Sequence, residues 1–331
     1  MRIAIFSHFF HPSIGGTEEV GQILADQFTR LGHKVKVITT TPQGVGGPQK
    51  EFPFEVIRRP NPCELWRAVK WSEAILHNNI CLQMAWPLLL LRRPWVVAHH
   101  IWIRRVDGSR GIRDRLKFWA IKFAKNIAVS RALASDLPVQ AEVIGNPYRE
   151  HIYFNTARPV RDERLLFVGR LIRGKGVDLL IEALRILKGR GKIFGLRVLG
   201  EGPERERLMA LAHDLPVEFE GIKTLTELAQ IFNQHRVLVI PSMWDETFGL
   251  IALEGIACGC RVIGASDGGL PEAIGPCGRI FPRGDANALA DLIEKEGNEE
   301  DLLVHAEKHL SKHRAEAVAK AYLKVIAEAM G

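Results

Sequence analysis

The stretch "RVLVIPSMWDETFGLIALEGIACGCRVIGAS" (residues 236–266) decides the fold. It opens and closes with short apolar runs rich in valine and isoleucine, which are typical of buried strands in a parallel sheet. Between them, the apolar segment that follows Gly249 predicts a helix. A strand, a helix and a second strand in this order form a βαβ unit with a right-handed crossover. The stretch therefore predicts an α/β protein built on a parallel sheet.

Two glutamates, Glu246 and Glu254, interrupt this apolar unit. Glu246 falls in the loop after the first strand, and Glu254 falls about one to two turns into the helix. Glu246 could be a helix-start acid favoured by the helix dipole, and Glu254 an exposed helix residue. The neighbours of Glu254 leave little exposed face, however, and a buried carboxylate without a partner is costly. Carboxylates can also accept hydrogen bonds from sugar hydroxyls or a ribose diol, so both are candidate binding residues.

The same alternation of strands and helices runs from end to end of the 331 residues, a length that suggests two domains. We predict residues 1–155 and 156–310 as two Rossmann-like, doubly wound domains that face a cleft, joined by the polar stretch 155–164. Residues 311–331 predict a closing helix. Ligands of such sheets bind at the carboxyl ends of the strands. The predicted strands are "RIAIFS", "KVKVITT", "FEVIRR", "WVVAHH", "NIAVS" and "AEVIGN", then "LLFVGR", "LRVLGE", "VEFEGI", "VLVIPS", "CRVIGA" and "GRIFP".

The composition is that of an ordinary globular protein, with 47% hydrophobic and 25% charged residues. No apolar run is long enough to span a bilayer, and the N-terminal sequence predicts no signal peptide. The five cysteines form no CxxC pair, which argues against a disulfide framework or a zinc site. These features together predict a cytoplasmic protein.

The net charge of +7 is concentrated in the first half, where residues 1–150 hold 21 Lys and Arg against 12 Asp and Glu. Residues 92–125 alone hold ten basic residues against two aspartates, interleaved with Trp102, Ile103, Leu116, Trp119 and Phe123. The aromatic residues could pack inward beneath solvated cations, or the segment could bind an anionic membrane surface. Nucleic acid would also attract these charges. Because nothing here resembles a base-reading module, we expect no nucleic acid partner.

Two glycine-rich turns follow predicted strands. In "GRLIRGKG", Gly169, Arg170 and Lys175 precede a helix whose free N–H groups, with the two cations, suit a diphosphate. The alternative is a solvated turn with ordinary basic residues. Gly15 and Gly16 follow the first strand, where they could form a phosphate-facing loop or only a turn. The chain contains no D-x-D motif, so we expect no metal and no cofactor, and the two cations would neutralise a leaving diphosphate.

Taken together, these pieces resemble the retaining GT-B glycosyltransferases of glycosyltransferase family four. "ETFGLIALE" matches the E-x7-E marker of that family, "GRLIRGKG" matches its diphosphate-binding pair, and "GGLPE" matches its next loop. In the first half, the stretch 12–39, the strand "PWVVAHH" and the loops "AVS" and "VIGNP" also match. The family usually has proline where Gly145 stands. The resemblance covers nearly the whole chain.

The resemblance implies a GT-B fold and assigns the candidate residues. Glu254 would hold the ribose of the donor nucleotide. Glu246 would contact the donor sugar, aided by the backbone of Phe248, Gly249 and Leu250. His100, which aligns in preference to His99, would also contact the donor sugar. Gly15 and Gly16 would approach the phosphates and the acceptor, and the closing helix would cross back to the first domain.

The implied activity is transfer of a sugar from a UDP- or GDP-linked donor to a hydroxyl of a glycan or lipid-linked glycan, with retained configuration and without a metal. The implied location is the cytoplasm, with possible attachment to the inner face of the membrane. Two alternatives share the architecture: a sugar-nucleotide epimerase and a non-catalytic subunit that binds the donor.

Overall fold

The computed structural model describes residues 1–13, 15–44, 51–104, 108–157, 161–295 and 302–331. They form two compact units: unit 1 contains Met1–Pro147 and Arg314–Gly331, and unit 2 contains Tyr148–His313. The division after Pro147 precedes the stretch 155–164 that the sequence interpretation used as a linker. The described residues of this stretch belong to unit 2, since the Arg161 guanidinium donates to the carbonyl oxygens of Cys258 and Gly259.

The described part of unit 1 contains a sheet of seven parallel strands in the order β3-β2-β1-β4-β5-β6-β7. Alternating and continuous apolar runs give these strands their buried faces. The strands are β1 (Arg2–Ser7), β2 (Lys34–Thr39), β3 (Glu55–Arg58), β4 (Ala74–Asn78), β5 (Trp95–His99), β6 (Lys125–Ala128) and β7 (Glu142–Val143).

Helices lie between most of these strands along the chain, and crossovers between parallel strands of one sheet are right-handed as a rule. In the second helix, the Asn61 side chain and the Glu64 side chain form a reciprocal capping box that fixes the first turn. The helices are α1 (Gly16–Arg30), α2 (Pro62–Trp71), α3 (Leu82–Ala85), α4 (Ile112–Ala120) and α5 (Arg131–Asp136), with short 3-10 turns at Trp86–Leu89 and Ile121–Phe123.

Unit 2 contains, among its described residues, a sheet of six parallel strands in the order β10-β9-β8-β11-β12-β13. Its strands are β8 (Asp162–Val168), β9 (Leu196–Leu199), β10 (Val217–Glu220), β11 (His235–Ile240), β12 (Arg261–Ala265) and β13 (Gly278–Phe281). Its helices are α6 (Val177–Gly189), α7 (Arg205–Leu211), α8 (Leu225–Gln234), α9 (Leu250–Ala257), α10 (Leu270–Ile274), α11 (Ala286–Lys295) and α12 (Ala306–Leu310). The fold class predicted from the sequence, two doubly wound α/β domains, is confirmed.

The closing helix α13 (Ala315–Met330) is part of unit 1. It packs against α1 and against β4, β5 and β6. Its apolar stripe, which includes Val318, Tyr322 and Ile326, is fully buried. The first domain is therefore assembled from both ends of the chain. In the described residues, no helix is long and apolar enough to cross a membrane.

Each sheet has one point at which its strand order reverses. In unit 1 the reversal lies between β1 and β4, and in unit 2 it lies between β8 and β11. Loops that leave the carboxyl ends of the two strands at such a point diverge to opposite faces of the sheet, and the crevice between them is where ligands bind in this class of fold. The candidate residues of the sequence analysis can therefore be tested against these two positions.

Candidate functional site

The loop after β8 carries the predicted diphosphate-binding residues. Gly169 and the exposed Arg170 follow the strand, and a 3-10 turn over Arg173–Lys175 leads into α6. Gly176 caps this helix with a left-handed φ of 70°, and a Cβ there would clash with the carbonyl oxygen of Pro241. Glycine is therefore required where the two loops of the reversal point touch, and α6 begins with its free N–H groups at this loop.

The loop after β11 brings Glu246 to the same place. Its Oε1 atom lies 2.6 Å from Nζ of Lys175 and accepts a hydrogen bond from the hydroxyl of Ser242, also at 2.6 Å. Because β8 and β11 are neighbours in the sheet, the two loops that supply Lys175 and Glu246 leave adjacent strand ends. The sequence pattern placed both residues at strand ends but did not predict that they pair.

The carboxyl of Glu246 is held in its ionised form. Burial raises the pKa of this carboxyl, and the Lys175 ammonium lowers it. The Ser242 hydroxyl and the Arg170 guanidinium add to this effect, so the pKa lies below its ordinary value. An ionised carboxylate accepts hydrogen bonds and donates none, so Glu246 suits hydroxyl groups of a ligand.

The turn "GGLPE" fixes the backbone of Glu246. The N–H of Gly269 donates to the carbonyl oxygen of Glu246 at 2.6 Å. Gly268 has a left-handed φ of 68°, and a Cβ there would clash with the same oxygen. This turn follows β12, the neighbour of β11, so a third strand end supports the position of the glutamate. The sequence predicted a tight turn here but gave no sign of what it contacts.

Helix α9 starts beside Glu246 and carries Glu254. Gly249 caps it in a left-handed conformation (φ 101°), and a Cβ would lie 2.7 Å from a Leu270 methyl. Phe248 is buried against the His313 ring at 5.4 Å, which anchors the start of the helix. Glu254 is 6% exposed, so the sequence-based expectation of a buried carboxylate is correct. Burial, together with the Glu254 charge, raises the pKa of the Cys258 thiol to about 12.

In unit 1, the candidate glycines lie after β1, at the other reversal point. Gly15 caps α1, and Gly16 is its first residue. The Glu18 carboxylate, which accepts from the Ser13 hydroxyl at 3.1 Å, folds back so closely that a Cβ on Gly15 would lie 2.5 Å from it. The carboxylate makes the described part of this loop a better partner for hydroxyls than for phosphate, so the approach of phosphate to Gly15 and Gly16 stays a prediction.

His100 lies directly after β5 and is held by two asparagines. Its backbone N–H donates to Oδ1 of Asn79 at 2.7 Å, and its Nδ1 lies 3.1 Å from Oδ1 of Asn146. Its Nε2 is buried without a hydrogen-bond partner among the described residues. Burial lowers the pKa of His100 to about 4, with a further lowering from His99, while Asn146 opposes the shift. His99 instead pairs with Asn126, so the two histidines have different surroundings.

Asn78 and Asn79 were missed by the sequence analysis because their strand, β4, was missed. The Asn78 amide donates to the Ser7 hydroxyl at 3.1 Å and to the Thr17 carbonyl oxygen at 2.8 Å. It therefore joins β1, β4 and the start of α1. Asn79 has a left-handed φ of 66°. The signal available in the sequence was "HNN" after an apolar run, since asparagine tolerates this conformation.

Within the described ranges, no group of three or more His, Cys, Asp or Glu side chains could hold a metal ion. The structure brings Arg170, Lys175 and Glu246 together in unit 2, with Gly249 opening the adjacent helix. His100, Gly15 and Gly16 lie in unit 1, at the carboxyl ends of its strands.

Part of the chain matches a described protein family. Residues 149–313 match the family described as glycosyl transferases group 1. This range is nearly the whole of unit 2, the unit that carries Lys175, Glu246 and Glu254.

Two curated relatives are glycosyltransferases by name. The D-inositol 3-phosphate glycosyltransferase of Corynebacterium jeikeium is 33% identical over 187 residues, which cover 51% of this chain and 44% of the relative. An uncharacterized glycosyltransferase of Methanocaldococcus jannaschii is 28% identical over 259 residues, covering 73% of this chain and 71% of the relative. The chain thus matches less than half of the first relative's length.

A solved structure extends the likeness to the whole fold. The Anabaena protein HepE in complex with UDP superposes with a TM-score of 0.79 at 18% identity, covering 99% of this chain and 100% of that one. The same protein in complex with UDP-glucose superposes with a TM-score of 0.78 at 16% identity, with the same coverage of both chains. This likeness confirms the GT-B fold.

Proposed function

We propose that this protein is a retaining glycosyltransferase of family four. It would transfer a sugar from a UDP- or GDP-linked donor to a hydroxyl of a glycan or lipid-linked glycan. The observation that carries the proposal is the contact of Lys175 with Glu246, because it places a cation and an ionised carboxylate together at the reversal point of the unit 2 sheet. UDP in the similarly folded Anabaena protein supports a nucleotide-sugar donor.

The leaving diphosphate would be stabilised by positive groups alone. Arg170 is exposed at the end of β8, Lys175 lies in the turn that follows, and the first N–H groups of α6 are free of intrahelical partners. Such preorganised donors stabilise charge that develops in the transition state. The proposal therefore assigns no metal to the reaction and no further cofactor.

Glu246 would orient the donor sugar and not attack it. Its Oε1 atom is occupied by the Lys175 ammonium and the Ser242 hydroxyl, which weakens its nucleophilicity and leaves Oε2 to accept from sugar hydroxyls. In a retaining reaction without a protein nucleophile, the acceptor oxygen attacks the anomeric carbon from the face that the diphosphate leaves. The bond from that carbon to the phosphate oxygen breaks, and this oxygen takes the acceptor's proton.

The nucleoside would be held by helix α9. Glu254 lies in this helix, and its carboxylate can accept two hydrogen bonds from a ribose diol. The backbone of Phe248, Gly249 and Leu250 leads from Glu246 into the same helix. Glu246, in the loop before the helix, would hold the sugar end of the donor, and Glu254, within the helix, would hold its ribose end.

In unit 1, His100 would contact the donor sugar in its neutral form. Its pKa of about 4 means that the ring carries no charge near pH 7. Neutral imidazole can donate or accept one hydrogen bond at Nε2, which fits a sugar hydroxyl. Gly15 and Gly16 would line the acceptor side. The proposed location is cytoplasmic, at the inner face of the membrane when the acceptor is lipid-linked.

A panel of nucleotide-sugars, with and without glycan acceptors, tests the proposal. A glycosyltransferase releases nucleoside diphosphate and forms a glycoside whose anomeric configuration, measured by NMR, equals that of the donor. An epimerase would change the donor sugar without an acceptor. A binding subunit would bind the donor and leave it unchanged. Inversion at the anomeric carbon would overturn the retaining assignment alone.

A further inference from the structure

Helix α4 and the 3-10 turn Ile121–Phe123 that follows it carry an exposed apolar stripe. Ile112, Leu116, Trp119 and Phe123 are spaced four, three and four residues apart, which places them on one side of a helix. Their relative exposures are 76%, 49%, 50% and 64%. The rings of Trp119 and Phe123 pack against each other in an edge-to-face pair at 5.0 Å. About half or more of each side chain is exposed to solvent, and contiguous exposed apolar surface of this kind often marks an interaction site.

The opposite side of the same segment is anchored to the protein. Ala120 and Ile121 are buried, and Gly111 and Asp114 form a capping contact at the first turn. The stripe is therefore presented by a fixed helix. The sequence analysis did not decide whether the large apolar residues of 92–125 pack inward or face solvent. Ile103 is buried, whereas Leu116, Trp119 and Phe123 are exposed. Trp102 lies beneath the Arg104 guanidinium at 4.4 Å, and Arg105 lies outside the described residues.

Basic side chains border the stripe on both sides. At 100° per residue, Arg113 lies to one side of the stripe, and Arg115 and Lys122 lie to the other. All three are exposed. Asp114 is the one acidic residue from 108 to 125, and it caps the helix start. The stripe is thus bordered by cations, with no exposed acid in this segment to offset them.

A second exposed apolar pair, Leu89 and Leu90, lies on the connection that enters the neighbouring strand β5. The 3-10 turn Trp86–Leu89 connects β4 to β5, and α4 connects β5 to β6, so both right-handed crossovers lie on one face of the sheet. Leu89 and Leu90, which are exposed, lead into β5, while Phe123 leads into β6, its parallel neighbour. The leucine pair and Phe123 therefore precede the amino ends of two neighbouring strands. Arg92 and Lys125 add exposed positive charge on the same two connections.

We propose that this surface, defined by Ile112, Leu116, Trp119, Phe123, Leu89 and Leu90 with its bordering cations, docks on an anionic lipid membrane. Aromatic and aliphatic side chains on a basic helix are what an interfacial helix inserts at the headgroup boundary. The cations complement the negative surface of phosphatidylglycerol or similar lipids. Docking itself does not require a bound nucleotide-sugar. The role we give it, bringing the enzyme to a lipid-linked acceptor, rests on the proposed transferase function.

Cosedimentation of the full chain with vesicles tests the proposal, using phosphatidylglycerol and phosphatidylcholine in equal parts against phosphatidylcholine alone. We expect binding to the anionic vesicles at low salt and release as salt rises. Arg113→Glu with Arg115→Glu and Lys122→Glu should weaken binding at least about 100-fold, since each basic residue contributes about fivefold and each glutamate adds repulsion. Trp119→Ser with Phe123→Ser should weaken it at least about tenfold.

Two matched controls separate this surface from a general loss of charge or apolar area. Arg30→Glu with Lys320→Glu and Lys324→Glu makes the same charge change elsewhere on unit 1. Ile193→Ser with Ile222→Ser removes two side chains of unit 2 that are 73% and 77% exposed. Both controls should bind vesicles as the unchanged protein does.

Equal binding to neutral and anionic vesicles would overturn the proposal. Unchanged binding by the Trp119 and Phe123 variant would overturn it as well, because charge alone would then explain the adhesion. Release of nucleoside diphosphate from the donor, measured without vesicles, should be the same in all four variants. If this release is absent from the unchanged protein while vesicle binding persists, the transferase function fails and the docking surface stands.

Discussion

The Nζ atom of Lys175 lies 2.6 Å from Oε1 of Glu246, and the two residues leave neighbouring parallel strands. Their side chains are 26% and 19% exposed, so the pair is partly shielded from water. The ion pair does two things at once. It keeps the carboxylate ionised, and it fixes the ammonium at the strand ends where the proposal places the diphosphate of the donor.

The ion pair should show as a coupling in stability. Lys175→Met leaves a shielded carboxylate without its cation, whereas the same change in a Glu246→Gln background does not. We expect the first to destabilise the protein by about 1–3 kcal/mol more than the second, as is found for residues in direct contact. Urea unfolding of the four proteins of the cycle measures this difference. A coupling of zero would mean that the pair is not formed in solution.

The two glutamates should have separable roles. Glu254→Gln should weaken binding of the nucleoside diphosphate, because the amide supplies only one of the two oxygens offered to a ribose diol. Glu246→Gln should leave that affinity nearly unchanged and lower turnover instead. Isothermal titration with UDP and GDP, together with steady-state rates, distinguishes the two. Similar losses of diphosphate affinity in both variants would contradict the assignment.

Transfer should not depend on a divalent metal. Arg170→Ala should lower turnover by a factor on the order of 10²–10³, the range for a single electrostatic donor. Arg173→Ala is the matched control, because Arg173 lies in the same loop with its side chain 83% exposed and a Glu204 carboxylate at 3.7 Å. Rates measured with excess chelator should equal those with added magnesium. Loss of activity in chelator with recovery on adding magnesium would refute the metal-independent mechanism.

Gly268→Ala tests whether the glycine turn positions Glu246. The new methyl would collide with the Glu246 carbonyl oxygen, so turnover should fall well beyond any loss of stability. Gly191→Ala is the control, since Gly191 shares the left-handed conformation, at φ 78°, and a Cβ there meets nothing within 4 Å. Both changes cost about 1–2 kcal/mol of backbone strain. Equal turnover in the two variants would show that the turn has no part in placing the carboxylate.

The stability of the protein should fall in mild acid, in part because His100 is buried in its neutral form. Its pKa is about 4 in the folded protein and about 6.5 when unfolded, so the unfolded chain binds the proton first. The contribution is fully present above pH 6.5 and is lost as pH falls towards 4. Between about pH 6.5 and 5, the unfolding free energy of His100→Gln should change less steeply with pH than that of the unchanged protein, by up to about 1.4 kcal/mol per pH unit.

The matched control for that measurement is His213→Gln, since His213 is exposed. The His100→Gln slope is compared with that of this variant and with that of the unchanged protein. Parallel slopes for His100→Gln and the unchanged protein would show that His100 titrates normally in solution.

The sequence predicted the fold well where apolar residues recur at strand spacing between turns. All six strands of unit 2 were predicted, from a continuous apolar run as in β8 or from apolar residues alternating with charged ones as in β10. β4 was missed, although it lies in the middle of the unit 1 sheet with every residue buried. Its last two residues are His77 and Asn78, whose hydrogen-bond partners Trp95, Ser7 and Thr17 come close only in the folded unit.

The sequence analysis named candidate site residues but did not predict the contacts between them. Sequence order placed Lys175 and Glu246 after strands, but their pairing depends on β8 and β11 being neighbours, which only the strand order reveals. The contact of Gly268 and Gly269 with the Glu246 backbone likewise depends on two strands, β11 and β12, being neighbours. Asn79 could not be found without β4. Spacing along the chain specifies which residues reach strand ends, whereas the reversal of strand order decides which strand ends meet.

The return of α13 to unit 1 sets an order of events during synthesis. Residues 148–313 leave the ribosome before α13 does, so unit 2 has its whole sequence while the face of β4, β5 and β6 that α13 covers is still bare. Although domains usually fold from the N-terminus onward, the domain that begins first here is completed last. Until Tyr322 and Ile326 have been synthesised and have packed against the sheet, the nascent chain exposes an apolar sheet face of the kind that chaperones bind.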